Sequence, residues 1–283
     1  MDRLSPLLEH FRVRAGLFHA GPLCGLTRFE ALPGRAFIHV LRQGRLTLTH
    51  QTPGLPRRLQ LTEPTLLFYP QAIEHHFESM PEDGVGLTCA SLSFDGDQRN
   101  PFVRALPPLI LLPLSQVNGL DDSLSLLFAE TEQVRCGQRL LADRLFEVVL
   151  IQLLRWLVDN ADAAGIPRGL LTGFADPRLA RTLVALHRDP GESWTLERMA
   201  SEAGMSRSAF ANAFRDAVGQ TPADYLADWR LTLAQSRLRD GQSVSLVADL
   251  LGYANASALS RLFRQRVGQS PREWLRQQRD RAA

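Results

Sequence analysis

Three kinds of hydrophobic patterning follow one another along the 283 residues. From about Ala15 to Leu112 the apolar residues come in short runs, Ala36–Leu41, Arg45–His50, Thr65–Tyr69 and Gly84–Phe94, parted by Gly, Pro and polar turns. Runs of that length and spacing, with no helical period between them, predict a β-rich part folded as a small sandwich or barrel. Pro107, Pro108 and Pro113 close it. The period then lengthens. Asp121–Arg135 carries Leu124, Leu127, Phe128 and Val134 mostly on one side, whereas Asp143–Asp159 is apolar nearly all round, from Leu145 and Phe146 to Trp156 and Leu157. A helix apolar on more than one face needs two surfaces to cover it. One is the β-rich part; the other is a second copy of the chain or the carboxyl-terminal domain. Residues 161–175, rich in Gly and Ala with Pro167, read as a linker.

The third pattern is helical, and it repeats. Ser208–Leu226 aligns with Ser257–Leu275 at an offset of 49, with nine of nineteen positions identical, among them Phe214/Phe263, Arg215/Arg264, Gly219/Gly268 and Pro222/Pro271. Upstream the offset is 48, pairing Thr195 with Ser243, Ala200 with Ala248 and Gly204 with Gly252, so the second copy has one extra residue in its turn. Each copy reads as helix, glycine turn, helix. Thr195 and Ser243 cap the first helices, Ser206 and Asn255 the second, and Gly204 and Gly252 end the first helices. Phe210, Ala213, Phe214 and Ala217 form a buried stripe in one copy, matched by Leu259, Leu262, Phe263 and Val267 in the other. That leaves Arg207, Ser208, Ala211, Asn212 and Arg215 outward in the first copy, and Ala256, Ser257, Ser260, Arg261 and Arg264 outward in the second. Short polar side chains with Arg on a protruding helix suit the base edges and phosphates of a major groove. The competing reading is a duplicated helical bundle that meets no nucleic acid.

Between the copies, Thr221-Pro222 opens a helix that meets no Gly or Pro until Gly241. From Pro222 to Asp240 it would span about 28 Å, close to the roughly 34 Å of one duplex turn. One rigid chain would then present two recognition helices to one face of DNA.

Composition changes this picture little and charge sharpens it. With 45% apolar and 22% charged residues the chain is of soluble globular type and long enough for two cores. All 32 basic residues are Arg. The net charge of +2 is uneven: 176 to the end holds 16 Arg against 12 acids, the preceding part 16 against 18. From Ser243 onward there are 7 Arg and 3 acids, so the second copy and its tail carry the whole local excess. Basic charge gathered at one end suits a polyanion, though a solvated basic tail would look the same. Met1–Arg14 has no apolar segment of a secretory signal, and Leu145–Val158 is too short and too often interrupted to cross a bilayer. A cytoplasmic location with no membrane partner is expected. Cys24, Cys89 and Cys136 make no disulfide framework. No nucleophile elbow, P-loop or dinucleotide fingerprint is present, so no enzyme is expected.

From about Asp176 to Gln277 the chain resembles the AraC/XylS family of bacterial regulators. The resemblance rests on Trp194-Thr195-Leu196-Glu197, Gly204-Met205-Ser206-Arg207, Phe214-Arg215 with Gly219-Gln220-Thr221-Pro222, Arg230 with Ala234, Gly252-Tyr253, and Phe263-Arg264 through Gly268-Gln269-Ser270-Pro271. It implies a transcription regulator, generally an activator, that binds double-stranded promoter DNA, works with RNA polymerase and forms a homodimer. Carried over by position, Ser208, Ala211 and Asn212 face bases in the first unit, and Ala256, Ser257, Ser260 and Arg261 in the second. Ala211 and Ala256 can offer at most a contact to a thymine methyl.

The β-rich half is similar to the cupin-type sensor domains attached to this family. Leu66-Leu67-Phe68-Tyr69-Pro70 followed by His75 resembles the second cupin motif, with Ala72 where glycine is common. The first metal motif is absent, His39 standing alone, so no metal or other cofactor is expected there. Similar regulators include members that respond to oxidants through cysteines. By that resemblance Cys24, Cys89 and His75 are the sensor candidates: thiols on adjacent strands beside an imidazole that favours thiolate, able to oxidise or to hold a soft metal. The alternative is a pair of small buried side chains. The effector is otherwise unknown. The fold class expected is α+β multidomain: a cupin-like β-barrel (1–115) with a helical dimerisation hairpin (116–160), a linker (161–175) and an all-α double helix-turn-helix domain (176–283). A cupin-type metal-dependent enzyme, or a protein-interaction module fused to a helical domain, are the alternatives.

Overall fold

The structure, a computed structural model, describes residues 1–10, 12–94, 100–117 and 119–282. These form two units, 12–167 and 168–282, the latter joined by residues 1–10.

The first unit is built on nine strands, all of whose pairings are antiparallel: β1 (Val13–Pro22), β2 (Gly25–Phe29), β3 (Arg35–Gln43), β4 (Leu46–His50), β5 (Arg58–Leu61), β6 (Thr65–Tyr69), β7 (His75–Ser79), β8 (Gly86–Phe94) and β9 (Ile110–Pro113). They lie in two sheets, in the orders β1-β8-β3-β6-β9 and β2-β7-β4-β5. Alternation explains which side chains meet between them. On β4, Leu46, Leu48 and His50 are buried while Thr47 and Thr49 are half-buried, the period of two that a one-sided strand shows. The core draws on both sheets: Phe37, Leu41, Leu67, Tyr69, Leu87 and Cys89 from the first, Phe29, Leu46, Leu48 and Phe77 from the second. The central strands β3 and β6 are buried on both faces, as their unbroken apolar runs require. The helices of this unit are α2 (Pro101–Ala105), α3 (Asp121–Glu132) and α4 (Gln138–Asp159). The last lies against β1, where the Asp143 carboxylate accepts from Leu17 N at 2.6 Å and Glu147 from Ala15 N at 3.3 Å.

Imidazoles cross the barrel. In register, His39 sits opposite Cys89, and His75 opposite both Phe29 and His50. His75 Nδ1 lies 2.9 Å from the Ile73 carbonyl, which only accepts, so that nitrogen carries the proton. Its Nε2 then accepts from His39 Nε2 at 3.0 Å. By the same logic His50 donates to the Pro56 carbonyl at 2.7 Å and accepts from the Tyr69 hydroxyl at 2.9 Å.

The second unit is all helical: α1 (Ser5–His10), α5 (Leu170–Ala175), α6 (Pro177–Arg188), α7 (Leu196–Ala203), α8 (Arg207–Val218), α9 (Pro222–Arg239), α10 (Val244–Leu250), α11 (Ala256–Val267) and α12 (Pro271–Ala282). Two features differ from the sequence reading. The stretch expected as a linker contains α5, whose Leu170, Leu171 and Phe174 are buried against α6 and α8, so the boundary falls at 167/168. The first ten residues, expected with the β-rich part, pack on α6 through the fully buried Leu7, and His10 Nε2 donates to the His187 carbonyl at 3.2 Å. No helix among the described residues is long and apolar enough to cross a membrane.

Burial sets a pH dependence. Desolvation, and the nearby His75, push the His39 pKa well below its usual value; desolvation takes His75 to about 4 and His187, in the helical unit, to about 3. An unfolded histidine takes a proton near 6.5, and these folded ones do not. Stability present above that pH is therefore lost as the pH falls towards the folded values, at about 1.4 kcal/mol per pH unit for each histidine. The melting temperature of the full chain is expected to drop steadily from pH 6.5 to 5. His187→Gln should flatten the helical unit's share of that slope, and a flat profile in the parent protein contradicts the assignment.

Candidate nucleic-acid interface

Both copies of the repeat fold as helix, turn, helix, and local chemistry accounts for each boundary. Thr195, Ser206, Ser243 and Asn255 accept from backbone amides three residues on, at 2.9–3.3 Å. Gly204 and Gly252 close the first helices with φ of 64° and 72°, the left-handed region that glycine enters at little cost. In the second helix of each copy an aromatic ring anchors the inner face. Phe214 meets Tyr225 of α9 edge-on at 5.6 Å, and Phe263 meets Trp274 of α12 at 5.6 Å.

The outer faces follow from that anchoring. On α8, Arg207, Ser208, Asn212 and Arg215 are exposed and Ala211 is half-buried. On α11, Ser257, Arg261 and Arg264 are exposed, with Ala256 and Ser260 half-buried. Asn212, Arg215, Arg261 and Arg264 have no side-chain hydrogen bond or ion pair among the described residues. Arg207 differs, because its guanidinium is paired with Glu197 of α7 at 2.5 Å. An exposed pair of that kind is weak and is given up readily to a stronger anion.

How the two copies are held was hardly legible from sequence. α9 runs 18 residues, about 27 Å, and carries Arg230, which donates to the Pro190 and Glu192 carbonyls at 2.7 and 2.9 Å. The Arg230 guanidinium also stands 5.5 Å over the Tyr253 ring of the second copy's turn. One residue therefore grips the 189–193 loop of the first copy and the turn of the second. Beside it the two backbones nearly touch: a Cβ at Gly252 would collide with the Gly191 carbonyl oxygen, and a Cβ at Gly191 with that of Leu250. Arg266 of α11 returns to α9, bonding Asp224 at 2.6 Å and Asp228 at 3.3 Å. The Thr221 hydroxyl and then Arg266 hold the Asp224 carboxyl below its usual pKa. Of these residues Thr221, Arg230, Gly252 and Tyr253 stand out in the sequence, through the caps, the turn glycine and the family motif. Gly191 and Arg266 carry no local signal.

Of the sensor candidates, Cys24 is not brought to the other two. Gly25 pairs with Ser79 and Phe29 with His75, so Cys24, just before β2, sits at the far end of β7 from His75. Cys24 is exposed, whereas Cys89 is fully buried in the barrel. Burial pushes the Cys89 thiol well above its usual pKa, opposite to what a reactive thiolate needs. The expected pair of thiols beside an imidazole is thus corrected: an interior packed with Phe29, Phe37 and Phe77 favours the neutral thiol. His39 and His75 spend their Nε2 atoms on each other, and no three His, Cys, Asp or Glu among the described residues are grouped to hold a metal ion.

Comparison with known proteins places this architecture. Residues 2–159 match the family model described as Cupin, and 199–277 the one described as Helix-turn-helix domain. The chain belongs to the family described as Cupin, and its helical unit carries a helix-turn-helix domain of AraC type. A putative AraC-like transcription regulator of Streptomyces antibioticus is 35% identical over 63% of this chain and 59% of its own length. The transcriptional activator RclR of Escherichia coli, described as RCS-specific, is 27% identical over 79% of this chain and 78% of its own. The DNA-binding domain of AdpA, solved with a target DNA, is 31% identical over 38% of this chain and 96% of that one, with a TM-score of 0.35. The chain spans about three fifths of the length of the Streptomyces relatives it matches, 59% in each case.

The AraC-type repeat supplies an internal comparison. Gly204→Ala and Gly252→Ala both place a side chain at positive φ, costing about 1–2 kcal/mol each, but a Cβ at Gly204 meets nothing within 4 Å. Gly252→Ala should therefore lower the melting temperature of the helical unit clearly more than Gly204→Ala, as read by calorimetry. Equal losses contradict the close backbone contact. Phe214→Ala and Phe263→Ala should each cost about 3–5 kcal/mol through the cavity left behind.

Proposed function

We propose that the chain is a sequence-specific transcription regulator that lays α8 and α11 into the major groove of double-stranded promoter DNA, under control of a signal received by its cupin unit. The observation that carries this reading is a matched pair of capped helices, each with a polar, Arg-bearing outer face and an aromatic anchor within, gripped together by Arg230 and the Gly191–Gly252 approach. The basic excess in the second copy supplies long-range attraction, and the relatives' names as transcription regulators support it. We assign Asn212 and Arg261 to base edges, and Arg215 and Arg264 to phosphates.

The same reading has the protein act in the cytoplasm, without enzymatic activity, as an activator that works with RNA polymerase. It also makes the protein a homodimer. Leu126 of α3, Val134 in the following loop, and Leu140, Leu141 and Val148 of α4 are exposed, and apolar side chains gathered on one hairpin suit a second copy.

Fluorescence anisotropy of the full chain on a site chosen by in vitro selection tests the proposal. Binding should weaken steeply with salt. Arg261→Ala or Asn212→Ala should cost about 1–3 kcal/mol on that site and little on random duplex. Equal losses on both DNAs would make Arg261 a phosphate contact, and no salt-dependent binding at all contradicts the function.

A further inference from the structure

We propose that the cleft at the β1–β2 side of the cupin unit is the effector site and that it takes a small aromatic carboxylate. This deepens the reading that the 12–167 unit receives a signal, and rests on it. The cleft has a volume of about 610 Å³, within the range of ligand pockets.

Its floor is aromatic by construction. The β1–β8 register slips between Leu17 and His19, leaving Phe18 as the extra residue of a bulge, and a bulge re-aims the side chain it carries. Phe18 is 47% exposed, although it stands 6.0 Å from both Phe29 and Phe37, which are nearly buried. A half-covered ring beside two buried ones is an open stacking position for a flat apolar body.

The rim is cationic. Arg28, Arg35 and Arg139 line the cleft against a single acid, Glu30. Arg28 is paired with Glu74 at 3.1 Å. The guanidinium groups of Arg35 and Arg139 have no hydrogen-bond or ion-pair partner among the described residues, which leaves both forks for a carboxylate. His19 also lines the cleft, and its Nε2 is buried without a hydrogen-bond partner, an orphaned polar atom that an occupant can satisfy. An apolar floor with unpaired forked cations above it selects a ring bearing a carboxylate over a neutral ring or an aliphatic cation.

Isothermal titration of the purified full chain with benzoate, cinnamate and indole-3-acetate, and with the neutral cinnamyl alcohol and tryptophol, tests this. At least one acid should bind with Kd below about 1 mM, and its alcohol at least about tenfold more weakly. The Arg35→Gln, Arg139→Gln double variant should lose at least about tenfold for the acid and leave the alcohol unchanged. Phe18→Ser should weaken both, and provides a second reading should the double variant fail to fold. The proposal is overturned if none of the three acids binds, if acid and alcohol bind alike, or if the arginine pair is without effect. DNA binding of the same preparations, followed by anisotropy, separates the two failures: lost ligand binding with intact DNA binding removes the effector site alone.

Discussion

Two glycines that almost touch set the geometry on which the proposed DNA recognition depends. Each helix-turn-helix copy has its own caps and its own aromatic anchor. What makes them one object is the approach of Gly191 to Gly252, closed over by Arg230 with its two carbonyl bonds and its stacking on Tyr253. Backbone against backbone leaves no side chain to adjust, so such a contact transmits orientation with little slack. The α9 helix supplies length and Arg266 secures its other side. Duplication provides two exposed polar helices; this junction decides how they are set against one another.

The barrel shows the same economy with different chemistry. Its interior holds His39 and His75, kept neutral by desolvation and joined ring to ring, and His50, held between the Pro56 carbonyl and the Tyr69 hydroxyl. Around them Phe29, Phe37, Tyr69 and Phe77 fill the space between the sheets. The interior is therefore a packed core, and the cleft on its β1 flank, opened by the Phe18 bulge, is where solvent meets the aromatic cluster.

The helical half was far more legible in the sequence than the β half, for physical reasons. Caps at Thr195, Ser206, Thr221, Ser243 and Asn255, and the glycines after the first helices, are local signals, and duplication let each copy check the other. Strands β3, β4, β6 and β8 showed as apolar runs. Strands β1, β2, β5, β7 and β9 did not stand out. In β7 the inward positions are His75, Phe77 and Ser79, so polar residues occupy a buried face and hide the alternation. Helix α5 reads as linker because six residues after Gly169 form a helix only when α6 and α8 cover Leu171 and Phe174. The exposed faces of α8 and α11 followed from the 3.6-residue period. The Arg207–Glu197 pair, the Arg266 bridge and the Gly191 approach did not, being tertiary contacts between residues that look like ordinary surface or loop. The pairing of Cys24 with Cys89 and His75 came by resemblance alone, and a resemblance does not say which end of a strand a residue occupies.

The central claim is that α8 and α11 read DNA as one rigid pair. Affinity for a selected two-part site, compared with the same site carrying five extra base pairs between its halves, tests it most directly. A rigid pair predicts that the insertion reduces affinity to that of a single half-site. Unchanged affinity for the lengthened site would show that the two helices move independently, and the junction at Gly191 and Gly252 would then have no role in recognition.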